Sequence, residues 1–206
     1  MLQKLAAGAL CGIIAGIPTG IGARAAMRMV ADGVPDPIRQ LPSFTAEGTT
    51  VIIVVFAVAG AAFGVLFALA HDALPGPNRA RGLLFGVAML VTVGPLFFTG
   101  ARDEFITRER MVLFSFLFPL FGVAAGLALE PSRRFARTLP AAAHAVFVLL
   151  ALAGGALVAS VIAGAVVTAA QVHGVLAVAY VLPWLAVGLL VGLALRSHFS
   201  NARLLR

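Results

Sequence analysis

The sequence predicts an all-α fold: a polytopic membrane helix bundle of six transmembrane helices, a single transmembrane domain over residues 1–206. Three observations predict it. First, 61% of the 206 residues are hydrophobic and 11% are charged, with a mean hydropathy of +1.05. Soluble domains carry roughly 25% charged residues, and a water-soluble fold of this composition would expose aggregating apolar patches. Second, six segments hold the about 20 apolar residues that a spanning helix needs: about 5–30, 49–70, 82–99, 111–129, 142–167 and 175–195. Third, small residues recur at i+4 spacing in every segment, which lets helix backbones approach closely in a bilayer.

Each segment has its own start and its own seam. The first carries Gly8, Gly12, Gly16 and Gly20, and the same spacing reaches Arg24 and Arg28. An i+4 step turns about 400°, so this line drifts about 40° per step around an ideal helix. The stripe is therefore expected to be two features, a glycine packing seam and, beyond Pro18, a cationic tip facing elsewhere. Thr45 suits the cap of the second segment, with Glu47 in its first turn, and Gly60 and Gly64 form its seam. Leu74-Pro75-Gly76-Pro77-Asn78 is a compact breaker, with Asn78 placed to cap the third segment, which carries Gly82 and Gly86. Thr107 is placed to cap the fourth, which carries Gly122 and Gly126. Pro140 suits the start of the fifth, which offers Ala151, Gly155, Ala159 and Ala163. The sixth carries Gly188 and Gly192.

The seams suggest internal repetition. Gly122-Gly126 and Gly188-Gly192 are each followed by Leu-Ala-Leu, and Gly60-Gly64 occupies the matching place in the second segment. Lys4 precedes Pro18 by the same separation as Arg81 precedes Pro95. One reading is three repeated helical hairpins in one orientation. The other is chance recurrence of Gly, Ala and Leu in an alanine-rich chain.

Six spans put both termini on one side. With that side cytoplasmic, Arg79, Arg81, Arg133, Arg134, Arg137, Arg196, Arg203 and Arg206 lie inside with Lys4, as the positive-inside bias requires. The net charge of +7 is then a membrane-flank signal and not a nucleic-acid one. Lys4 is the one lysine beside many arginines. With the abundant Ala and Gly, this usage suggests a GC-rich bacterial genome and hence the bacterial inner membrane. The single cysteine, Cys11, excludes an internal disulfide. Lys4, the run to Ile17 and Ala23-Arg24-Ala25 loosely fit a cleaved leader. The basic start is thin and no soluble domain follows, so the segment is read as a retained span.

Three constellations are candidate sites. Arg24 and Arg28 are one turn apart and suit an anion or lipid headgroup. From Leu5, Arg24 lies about 28 Å along the axis, at the outer edge of a core roughly 30 Å thick. The plainer reading is an interfacial anchor, or pairing with Glu47 or Asp32 that fixes the first loop. Pro18, Pro95, Pro119 and Pro183 all fall in the outer halves of their helices, each freeing a carbonyl four residues earlier. One of those carbonyls belongs to Ser115. Broken helices in corresponding places point to transporter sites, and ordinary kinks explain the same prolines. Phe114, Phe116, Phe118 and Phe121, with Tyr180 and Trp184, could line an apolar pocket for an amphiphile or form an interfacial belt.

No metal and no cofactor is expected. His71, His144, His173 and His198 carry no ligand spacing. No metalloprotease motif, nucleophile elbow or phosphate-binding loop is present, and the second to sixth segments hold no charge near mid-membrane. The expected function is non-catalytic: transport or permeation of a small or amphiphilic solute through an outer-half site. The alternatives are a structural or accessory subunit of a larger membrane complex and an outer-leaflet lipid-handling enzyme. Expected partners are the bilayer, an anionic headgroup or amphiphile, and a second copy or a complex partner.

Overall fold

The computed structural model describes residues 1–31, 45–100 and 108–173. Every element among them is helical: α1 (Leu2–Ala31), α2 (Ala46–Ala70) with a 3₁₀ turn at His71–Ala73, α3 (Asn78–Thr92), α4 (Gly94–Gly100), α5 (Arg108–Ser115), α6 (Leu117–Thr138) and α7 (Ala141–His173). Four stretches are long and apolar enough to cross a membrane: Leu2–Met29, Ala46–Ala73, Met111–Thr138 and Ala141–Thr168. They coincide with the first, second, fourth and fifth predicted segments. The sixth segment lies outside the described residues, and with it Tyr180, Pro183, Trp184, Gly188 and Gly192.

The third predicted segment is divided at Val93 and the fourth at Phe116. Each division falls just before a proline, so Pro95 and Pro119 sit in the first turns of α4 and α6. A missing N–H needs no helical partner there. The ladder is bridged locally: Phe97 N–H donates to Val93 O at 2.9 Å and Phe116 N–H to Leu113 O at 3.3 Å. Pro18 behaves differently. α1 runs through it without a break, and Pro18 itself is exposed on the helix surface. α6 also contains Pro131 and continues to Thr138, well past the predicted end at 129.

Turn chemistry sets the other ends. Thr45 caps α2, with Gly48 N–H donating to its Oγ1 at 3.1 Å. Thr45→Ala should lower stability by about 1 kcal/mol, the usual worth of such a cap, read as a lower thermal midpoint in detergent. Asn78 does not cap α3. The helix begins on it, Pro77 holds the cap position, and the Asn78 side chain turns to His71 instead. In the breaker Gly76 adopts φ +93°, a region that glycine reaches without Cβ strain.

Two helix pairs pack backbone to backbone. In the α1–α2 pair, a methyl group on Gly8 would stand 2.9 Å from Gly64 O, and one on Gly20 would stand 2.9 Å from Ile53 Cα. Between them, a methyl on Gly12 would strike Gly60 O and one on Gly16 would strike Phe56 O. In the α3–α6 pair, Gly82 meets Gly122 O and Gly86 meets Phe118 O. Such i±4 rows bring helices together at a close crossing. The pairs join through α1 against α6, and α7 packs on α2, α1 and α4.

The α1 stripe is one seam and not two. Arg24 follows Gly20 onto the same neighbour, its Nε donating to Thr49 Oγ1 of α2 at 3.3 Å. The drift around α1 is real, but α2 is inclined along the i±4 row and follows it. Arg28, one turn further along α1, is exposed.

Candidate functional site

The centre of the bundle is not filled. A cavity of about 190 Å³ lies between α1, α2, α3–α4, α5–α6 and α7, at the level of the two helix divisions. Its floor is built by Met89 of α3, by Val93 at the α3–α4 division and by Phe118 and Phe121 of α6. α2 contributes Phe56, Ala59, Gly60 and Phe63, and α4 and α5 contribute Phe97 and Phe114. Leu157, Val158, Val161 and Ile162 of α7 line the remaining side. The rings are set edge to face: Phe63 against Phe121 at 6.3 Å and 73°, and Phe97 against Phe118 at 6.5 Å and 84°, geometry that aromatic pairs favour.

The wall offers almost no hydrogen-bonding chemistry. Thr19 is the one polar lining side chain among the described residues, and its hydroxyl donates to Ala15 O at 2.7 Å. Apolar cavities of this kind stay dry, and one of about 150 Å³ accepts benzene. The space therefore suits one segment of a hydrocarbon chain and offers nothing to a polar solute.

The sequence-predicted site residues are distributed unevenly around this cavity. Phe114, Phe118 and Phe121 line it. Pro95 and Pro119 position its wall, whereas Pro18 is exposed away from the interior. Ser115 is half-buried, its hydroxyl donating back to Met111 O at 2.6 Å. Phe116 is 66% exposed and stands outside the cavity. Arg24 is 7% exposed at the end of α1 opposite the N-terminus. Its Nη2 would lie 3.5 Å from a methyl on Gly48, against the first turn of α2. Arg28 and Glu47 are exposed. A small apolar cluster of Ala23, Ala26, Phe114 and Leu117 shares Phe114 and Leu117 with the cavity wall.

Phe56, Phe63 and Phe97 were not among the residues singled out from sequence. The available signal was weak: Phe56 and Phe63 lie two helical turns apart on one face of α2, and Phe97 follows the Pro95 break.

The face that carries the N-terminus is polar. Asp72, in the 3₁₀ turn, accepts from Lys4 Nζ of α1 at 3.1 Å and from His71 Nδ1–H at 3.0 Å, and lies 4.0 Å from Arg133 Nη2 of α6. His71 is 4% exposed. Its Nε2 lies 3.1 Å from Asn78 Oδ1, and Arg81 Nη1 lies 3.4 Å from both ring nitrogens. His144 Nε2–H donates to Ala136 O at 2.7 Å. These bonds tie α1, α2, α3 and α6 together at one end, and His71 and His144 are both occupied structurally. Among the described residues no group of three or more His, Cys, Asp or Glu side chains could hold a metal.

The fold and the cavity define a class: a helical bundle with membrane-length apolar helices around an aromatic-lined hydrocarbon pocket. No family model, no curated protein and no solved structure matches the chain.

Proposed function

We propose that the protein is a multi-pass inner-membrane carrier of an amphiphile, holding the hydrocarbon part of its ligand in the central cavity. The observation that carries this reading is the cavity itself, a space of about 190 Å³ with Thr19 as its one polar lining side chain among the described residues. In this reading the face with Lys4, Arg79, Arg81, Arg133 and Arg137 is cytoplasmic. The cavity then lies in the outer half, and Arg24 and Arg28 stand at the outer interface where an anionic headgroup would sit. The fold would be completed as six spans in three hairpins. The matched contacts of Gly12 and Gly16 on Gly60 and Phe56, and of Gly82 and Gly86 on Gly122 and Phe118, support such repetition. Their register equates Gly12 with Gly82, and differs from the one that equates Lys4 with Arg81.

An accessory-subunit role has less support, because Gly8, Gly12, Gly16, Gly60, Gly64, Gly82, Gly86, Gly122 and Gly126 face this chain's own backbone.

The test is mass spectrometry of the protein extracted with native lipid. A tail-bearing amphiphile should co-purify, and Ala59→Phe or Val93→Phe, which fill the cavity, should reduce its occupancy at least about tenfold while elution as a single species is kept. Equal occupancy in parent and filled variants would refute the reading.

A further inference from the structure

The cavity wall is closed on one side and open on another. Phe114, Leu117, Phe121 and Met89 are 5–8% exposed, whereas two lining residues on the opposite side, Val55 of α2 and Val161 of α7, are 42% and 48% exposed. α2 and α7 touch where Gly154 meets the Val58 carbonyl. Val55 and Val161 both lie beyond that contact toward the Thr45 end of α2, since the two helices run antiparallel. Among the described residues the pocket therefore has a mouth between α2 and α7, framed by two valines that line the cavity and are also exposed.

The depth of this mouth decides what can use it. Within the apolar stretches Ala46–Ala73 and Ala141–Thr168, Val55 and Val161 stand about 7 Å and about 10 Å from the midpoints, at 1.5 Å per residue. A hydrocarbon core roughly 30 Å thick extends about 15 Å from its centre. The mouth opens into lipid tails and not into water. Nothing in the wall recognises a headgroup, because the Thr19 hydroxyl is already donated to Ala15 O. A lipid could place one chain through this opening and leave its polar end at the interface.

We infer that the cavity is loaded sideways from the bilayer between α2 and α7, and that its ligand is a segment of one hydrocarbon chain of a membrane-resident lipid. This rests on the carrier reading above and adds the ligand class and the route. A water-borne solute has no access by this path, and a two-chain occupant exceeds the space.

The test uses the full chain in phosphatidylcholine–phosphatidylglycerol vesicles doped with a phospholipid bearing a photoactivatable diazirine midway along one chain. Labelled peptides are mapped by mass spectrometry. In the parent, label should appear on the segment holding Phe114 and Phe121 as well as on lipid-facing Leu149 and Leu152. Val55→Trp with Val161→Trp, at exposed positions that tolerate bulk, should cut the interior label at least about tenfold and leave the Leu149–Leu152 label unchanged. Val161→Ala, which widens the mouth, should raise the rate of interior labelling and guards against a plugged variant that misfolds. Interior label that survives the plug and does not respond to widening would overturn sideways loading alone and leave tail binding standing. Absence of interior label in the parent would overturn both.

Discussion

Replacing Gly12 with valine is expected to separate α1 from α2. A Cβ at Gly12 would collide with the backbone oxygen of Gly60, and Gly64 Cα lies 2.9 Å from the same point. The obstacles are backbone atoms, so no rotamer change can relieve them and the two helices must move apart. Overpacking of a well-filled interior costs roughly 1–3 kcal/mol and occasionally more. A backbone obstacle places this substitution at about 3 kcal/mol or above. The measurement is the thermal unfolding midpoint in detergent, with steric trapping in bilayers as a second readout. Gly155→Ala is the matched control, because a Cβ there meets nothing within 4 Å. It should be neutral or raise stability by up to about 1 kcal/mol through helix propensity. If both variants behaved alike, close backbone contact would not be what holds α1 to α2.

Phe67→Ala is expected to be comparably severe for the opposite reason. Phe67 is fully buried. Its ring meets the Phe85 ring at 5.2 Å and the His71 ring at 5.6 Å, so it joins α2 to α3 and supports the buried histidine. In lipid, removing the ring gains no hydrophobic compensation, and what is lost is close packing. Truncating a buried Phe costs roughly 3–5 kcal/mol. Phe67→Leu keeps most of the volume and should cost no more than about 1.5 kcal/mol. Leu149→Ala, at a side chain that is 64% exposed, should stay within about 0.5 kcal/mol. Equal midpoints for Phe67→Ala and Phe67→Leu would show that the site collapses around the gap.

The two variants together separate two ways of holding helices in lipid. Small residues allow backbone contact along α1–α2 and α3–α6. Aromatic side chains fill the wider space where α2, α3 and α6 meet, and they leave a cavity beside α7. Val146, Leu149, Leu152 and Val167 are all 55–64% exposed, so α7 is held by few interior contacts. Of the four membrane-length stretches among the described residues, the one in α7 is the least buried.

How much of this was legible depended on whether the cause was local. The cap at Thr45 and the glycine turn at Gly76 were readable, because each is decided within a few residues. Proline breaks were only half readable. Pro95 and Pro119 coincide with divided helices, while Pro18 lies on the exposed side of α1 and the helix passes it. The difference is set by what surrounds each proline, and no spacing encodes that. Asn78 reads as a cap until His71 is brought beside it by the preceding turn.

By itself, the sequence determined that the chain is helical and that four of its described stretches can cross a membrane. An α-helix closes its hydrogen bonds within its own segment, so apolar length alone is enough to specify it in lipid. Only the tertiary structure decided that α2 tracks the drifting stripe of α1 as far as Arg24. It alone brought phenylalanines from α2, α4, α5 and α6 around one cavity with a sideways mouth. Those outcomes depend on contacts between segments far apart in the chain, and their geometry is fixed by how whole helices cross and not by the pattern within any one of them.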